Sequence, residues 1–256
     1  MTTPPAPAEI LRSWEYAADR PQPARALALL CLSRPGERAD DLALLSPGRR
    51  DAALLDLRMR LFGHRVVAVA RCGACGANLE LAFSLADVRV SEGEAAGDGV
   101  VAPEEPLPEG EELEADGYLL RFRLPDSRDL MAALCPSDPA ATRTHLLRRC
   151  VLAAHRGQRA VPPGALPAAV VERLEARMAE LDPQADVRLS FVCPDCGAVT
   201  EQMFDIAAHL WSEVHAWARR TLWDVHLLAS SYAWSEQDVL AMSPARRRFY
   251  LEAVTS

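Results

Sequence analysis

Between Gly48 and Gly63, "GRRDAALLDLRMRLFG" places Ala53, Leu54, Leu57, Leu61 and Phe62 mainly on one face at helical spacing. Ser46-Pro47 supplies a cap and a proline at the first helical position, and Gly63 supplies a stop. The following "HRVVAVARC" reads as a strand. The same change of period recurs downstream. Pro167 opens "AAVVERLEARMAEL", with Val171, Leu174, Met178 and Leu181 at helical spacing. Asp182-Pro183 ends that helix, because the residue before a proline avoids the helical region. "ADVRLSFVC" then reads as a second strand. Helix followed by strand therefore occurs twice.

Between these copies, "YLLRFRL" alternates, with Tyr118, Leu120, Phe122 and Leu124 on one face. This predicts a half-buried strand that Pro125 ends, before "DSRDLMAALC" begins a short helix. Asp138-Pro139 caps a further predicted helix carrying Leu146, Leu147, Cys150, Val151 and Ala154. Beyond the second copy, roughly residues 206–230 form a long amphipathic helix. Its stripe is Leu210, Val214, Trp217, Thr221, Val225 and Leu228, widened by Trp211, Ala218 and Leu222. Ser235 and Ser243-Pro244 start two short helices.

The segments expected are an N-terminal helical stretch (1–45), a first helix–strand–knuckle–strand unit (46–89), an acidic loop (90–116), a strand with helices (117–166), a second unit (167–205) and a helical tail (206–256). Residues 46–89 and 117–256 are expected to form one composite domain, since 256 residues suffice for a substantial core.

Charge singles out one of these segments. Residues 90–116 hold ten acids and no base, so of the net charge of -8 they leave about +2 for the rest. With four glycines and three prolines, this segment reads as a flexible loop. Every basic residue is arginine. No apolar stretch approaches the roughly 18 residues of a membrane span. The opening "MTTPPAPAEILRSWEY" lacks the basic head and apolar run of a signal peptide. A cytoplasmic, thiol-reducing setting follows, which favours metal-bound cysteines over disulfides.

Four of the seven cysteines lie in two knuckles, Cys72-Gly-Ala-Cys75-Gly76 and Cys193-Pro-Asp-Cys196-Gly197. At an offset of 121 residues both cysteines coincide, as do Gly76/Gly197, Ala77/Ala198, Glu80/Glu201, Phe83/Phe204 and Ala86/Ala207, with Leu85 over Ile206. Two such pairs supply the four thiolates of a closed tetrahedral site. The fold class expected is α+β: a pseudo-duplicated four-cysteine zinc ribbon of two strand–CxxCG–strand units surrounded by helices, with a helical C-terminal tail. One structural Zn2+ held by Cys72, Cys75, Cys193 and Cys196 is the expected cofactor. Cys31, Cys135 and Cys150 sit in apolar helical runs and read as small buried thiols.

Thiol–disulfide exchange also uses CxxC, but at the start of a helix, whereas strand-like residues flank both knuckles here. A zinc deaminase needs an open coordination position and a nearby HxE, which no histidine supplies. Nucleic-acid binding is the main competing function for a zinc ribbon. The acidic chain opposes it, and the one tight basic run, Arg246-Arg247-Arg248, falls in a predicted helix. His64 and His209 are substitute ligands only if the knuckles bind separate ions. Asp126, Asp129, Asp138 and Glu213 read as helix caps and surface charges. With no phosphate loop, nucleophile elbow or HExxH, neither an enzyme nor a small-molecule site is expected.

The chain resembles the baseplate hub assembly chaperone family of T-even-type tailed phages and related contractile injection systems. The likeness is carried by "RALALL" (25–30), "GRRDAALLDLRMRLFG" (48–63), the first knuckle with "LEL", "FRLPDSRDL" (122–130), "LDPQADVRLSFVCPDCG" (181–197), "FDIAAHLWSEV" (204–214) and "ASSYAWSEQDVLAMSPARRRFYLE" (229–252). The first knuckle departs from the expected pattern, with Gly73 where a proline stands in the second. The resemblance implies a non-catalytic cytoplasmic factor of tail assembly, with protein partners in a baseplate or hub and no membrane partner. On chemistry, Trp211, Trp217, Trp223, Tyr232, Trp234 and Tyr250 are the candidate contact residues, against the reading in which they fill the helical core.

Overall fold

The computed structural model describes residues 4–90, 110–134 and 138–255. Two helices, α1 (Pro7–Ala17) and α2 (Gln22–Ser33), precede a single turn, α3 (Ala39–Leu42), and the 16-residue α4 (Pro47–Phe62). Ser46 Oγ accepts from Arg49 N at 3.4 Å, Pro47 occupies the first turn, and Gly63 leaves the helix at φ 86°. The cap and stop residues therefore act as their chemistry predicts.

The next element is a hairpin of β1 (Arg65–Arg71) and β2 (Asn78–Ser84), paired from Arg65↔Ser84 to Arg71↔Asn78. Val66, Ala70 and Leu79 are buried, while Val67, Val69 and Glu80 face outward. A four-stranded antiparallel sheet follows, made of β3 (Glu111–Ala115), β4 (Tyr118–Phe122), β5 (Val151–Arg156) and β6 (Arg159–Ala160). Helices α5 (Ser127–Ala132) and α6 (Pro139–Cys150) lie between β4 and β5 in the chain.

This sheet corrects two expectations. Residues 111–115, assigned to the acidic loop, form an edge strand. Asp116 and Gly117 take positive φ (51° and 76°) and close a two-residue turn with register Ala115↔Tyr118. Asp-Gly is well suited to that turn. Leu113 packs against the core and Ala115 is buried in it, while Glu112 and Glu114 stay in solvent. The remainder of the acidic segment, 91–109, lies outside the described residues. The helix starting at Pro139 also ends sooner than expected. It stops at Cys150, and Val151 and Ala154 belong to β5, where they pair with β4. A β-branched residue opposite an available strand is more stable as a ladder partner than as another helical turn.

The second copy begins with α7 (Ala168–Leu181), which packs Val170 and Leu174 onto the four-stranded sheet against Leu120 and Phe122. Its hairpin is β7 (Arg188–Val192) with β8 (Val199–Met203), paired from Arg188↔Met203 to Val192↔Val199. Then come the 27-residue α8 (Ile206–Tyr232), α9 (Glu236–Ala241) and α10 (Pro244–Thr255). Asp205 caps α8 by accepting from Ala208 N at 2.9 Å. Ser235 starts α9 in a reciprocal arrangement with Asp238.

Leu29, Leu30, Leu54, Leu57, Leu210 and Val214 are wholly buried in one cluster joining α2, α4 and α8. Each contributes about 1.5–3 kcal/mol by leaving water. Leu11, Ala218 and Leu240 bind α1, α8 and α9 in a smaller cluster. Trp14 Nε1 donates to His215 Nδ1 at 3.0 Å, adding a polar link between α1 and α8. The architecture is thus α+β, with two knuckle-bearing hairpins among helices and a helical C terminus.

Candidate metal centre

Each knuckle is built by the same backbone hydrogen bonds. Cys72 N donates to Ala77 O at 2.8 Å and Gly76 N to Cys72 O at 3.0 Å. In the second copy Cys193 N donates to Ala198 O and Gly197 N to Cys193 O, both at 2.9 Å. Gly76 and Gly197 hold φ of 77° and 73°, a conformation that costs any other residue strain. The sequence repeat is therefore a repeat of structure at the level of single hydrogen bonds.

The hairpins meet through their knuckles. Cys72 Sγ lies 3.7 Å from Cys196 Sγ, and Cys75 Sγ lies 3.7 Å from Cys193 Sγ. Under the repeat, Cys72 corresponds to Cys193 and Cys75 to Cys196, so these two contacts are equivalent to each other. The equivalent rings Phe83 and Phe204 also touch, edge to face, with centroids 5.1 Å apart. Both contacts fit a local two-fold relation between the hairpins.

All four Sγ atoms lie within 4.8 Å of one another, so the group could hold a metal ion. A tetrahedral thiolate site with bonds of about 2.3 Å has edges of roughly 3.8 Å, close to the two inter-knuckle contacts. Cys72 and Cys193 are buried beside Leu79, Ala77 and Phe191, while Cys75 and Cys196 face solvent. The backbone amides of Cys75 and Ala74 point at Cys72 and lower its pKa to about 6. The Ala77 and Ala198 amides act the same way on Cys75 and Cys196, but the neighbouring sulfurs outweigh them, pushing Cys75 up to about 12 and raising Cys196. The four thiols therefore do not ionise together unless a cation offsets their mutual repulsion. Gly73 has open space around it, so the missing proline of the first knuckle leaves no clash and no void to fill.

Neither His64 nor His209 joins this group. His209 lies instead 3.6 Å from Glu213 and against the Phe204 ring. Cys31 is half-buried in α2, and burial raises its pKa. Cys150 is pushed up to about 12, first by burial and then by the nearby Asp129 charge. Neither environment favours the nucleophilic thiolate. Cys135 lies outside the described residues.

The carboxylates divide into two kinds. Asp126 caps α5 through Arg128 N and Asp129 N, and Asp138 caps α6 through Ala141 N. Asp129 and Glu213 are not the surface charges that the sequence suggested. Asp129 is fully buried and takes hydrogen bonds from Arg123 (2.5 and 3.0 Å) and Arg149 (2.5 Å). Glu213 receives both Nε and Nη2 of buried Arg58, at 3.0 and 2.8 Å. The same guanidinium donates to Gly63 O and Arg65 O, so it fixes the corner between α4 and β1.

The candidate contact aromatics also separate. Trp211 is buried beneath Arg25, and Trp217 packs between two core clusters. Trp223 is exposed, and Tyr232, Trp234 and Tyr250 form a ring cluster at the C-terminal end. Phe249, which had no periodic signal to mark it, is exposed beside Tyr250. In the basic run, Arg247 is buried, whereas Arg246 and Arg248 are exposed.

Among the described residues, no helix is long and apolar enough to cross a membrane. Neither the curated proteins nor the solved structures contain a match to this chain. The family model described as T4 bacteriophage base plate protein matches residues 30–210. That span includes both knuckles and the start of α8, and leaves most of the helical tail outside. Covering well over half of the 256 residues, the match places the chain in the T4 bacteriophage base plate protein family.

Proposed function

We propose that this protein is a non-catalytic assembly factor of a contractile, phage-tail-like machine, acting at the baseplate or hub through protein contacts. The family match over residues 30–210 carries this reading. The more specific assignment to hub assembly rests on the resemblance of its motifs. The protein acts in the cytoplasm of the producing cell, where baseplates are built, and is available there for incorporation into the particle.

Cys72, Cys75, Cys193 and Cys196 would hold one structural zinc. Four sulfurs within 4.8 Å, with no oxygen or nitrogen ligand in the group, suit a borderline-soft ion and leave no open coordination position. Bound there, zinc supplies cross-linking and no chemistry. The residues do the remaining work: the knuckle amides favour thiolates, and Leu79 and Phe191 shield the inner pair from water.

Co-expression of the full chain with the tube, sheath, spike and baseplate proteins of its particle tests this directly. The expected result is a stable complex with at least one baseplate or hub component, and incomplete baseplates when the protein is removed. Complete particles without it, or steeply salt-dependent binding to DNA in place of a protein complex, contradict the proposal.

A further inference from the structure

The C-terminal helices carry a surface that the metal centre does not use. Tyr232 stacks on Trp234, with centroids 4.5 Å apart and planes at 21°. Tyr250 lies edge-on to both, at 5.8 and 4.8 Å, and Phe249 lies edge-on to Tyr250 at 5.6 Å. Four aromatic rings are thus continuous, yet Phe249 is 66% exposed and Tyr232 38% exposed. Leaving such rings in water forgoes burial that the adjoining core could have provided, and aromatic clusters of this kind mark protein contacts.

Charge indicates what covers them. Arg246 lies over the Tyr250 ring at 5.8 Å, and Arg248 is exposed on the same helix. No ion pair within 4 Å engages either of them among the described residues. The three arginines also occupy the early turns of α10, whose first turn has no acid. A helix N terminus is itself positive, so cations there are unfavourable in the free protein. Buried Arg247, whose charge reaches Asp224, still has an Nε with no hydrogen-bond partner. The helix therefore presents positive charge at Arg246 and Arg248 beside the exposed rings of Phe249 and Tyr232, with Trp234 and Tyr250 half-buried behind them.

We propose that Tyr232, Trp234, Phe249 and Tyr250, with Arg246 and Arg248, form the docking surface for an acidic segment of a protein partner. Carboxylates of that segment meet the two arginines while an apolar side chain covers the rings. This inference rests on the assembly reading and adds where the partner sits and what its chemistry is.

The test uses the full chain and the baseplate or hub protein with which it co-purifies, with affinity measured as salt is raised. Phe249→Ser and Arg248→Glu are each expected to weaken binding roughly tenfold or more, with zinc content and melting temperature unchanged. Salt is expected to weaken the wild-type complex. Replacing the partner's contacting acid by arginine is expected to recover binding to Arg248→Glu. Unchanged affinity in both variants, or an affinity indifferent to salt, overturns the surface while leaving the assembly reading intact. Self-association or DNA binding through these residues, in place of a partner complex, also overturns it. If the wild type binds no particle protein at all, the assembly reading fails and this surface fails with it.

Discussion

Ser46 Oγ donates to Asp182 Oδ1 at 2.9 Å, so a residue ending the helix of the second copy completes the start of the helix of the first. The other oxygen of Asp182 accepts from Gly48 N at 2.8 Å. One buried carboxylate thus satisfies an otherwise orphaned helix amide and ties together positions 134 and 136 residues apart. Asp182→Ala is expected to cost about 1–3 kcal/mol, measured by urea unfolding, because it leaves buried donors unsatisfied. Gly48→Ala tests the same contact sterically. An added Cβ would fall 2.2 Å from Asp182 Oδ1 and 2.9 Å from Ala185 N, so it is expected to destabilise even though alanine favours helices.

Asp129 predicts a larger effect. Burial alone would raise its pKa, but hydrogen bonds from Arg123 and Arg149 override that and hold it low. Asp129→Asn takes the anion from exposed Arg149 and leaves half-buried Arg123 with only Asp126, at 3.6 Å, at an expected cost of roughly 3 kcal/mol because the site it vacates is fully buried. Thermal or urea unfolding of this variant beside Asp138→Ala separates the two roles. The exposed cap is expected to cost only about 1 kcal/mol.

Acid should act through Glu213. Burial pushes its carboxyl upward, while His209 and the two-pronged Arg58 contact bring it down to about 2. A folded pKa below the ordinary value of about 4.3 means that stability is fully present above pH 5 and is lost as pH falls toward 2. The corresponding contribution at neutral pH is about 3 kcal/mol at most, since the side chain keeps a quarter of its exposure. Glu213→Gln is expected to lower stability at pH 7 and to flatten its decline between about pH 5 and pH 2. A variant whose pH profile parallels the wild type would contradict this assignment.

The knuckles, the repeat and most helix ends were legible in the sequence because each depends on local chemistry. Ser46 and Ser235 act on amides within a turn of themselves, Gly63 ends its helix through its own positive φ, and CxxCG fixes its own bend. What depended on distant partners was hidden. Glu111–Ala115 has poor strand composition and becomes β3 because β4 offers an edge, although the Asp116-Gly117 pair carried a hairpin signal. Val151 and Ala154 continue the apolar spacing of α6, and their pairing with β4 decides their state. Asp182 looked like a helix stop and nothing more, since Ser46 lies far away in sequence. The four cysteines were visible as a set because their spacing repeats; their meeting at 3.7 Å across two hairpins is a property of the fold.

Metal analysis of the purified full chain, alongside Cys193→Ser, bears most directly on the zinc clamp. The wild type should carry about one zinc per chain. Cys193→Ser should lose most of it and melt well below the wild type, because structural zinc contributes on the order of 10 kcal/mol of apparent binding free energy in small domains. A metal-free wild type as stable as one supplied with zinc, or two zinc ions per chain, would contradict a single ion shared by both knuckles.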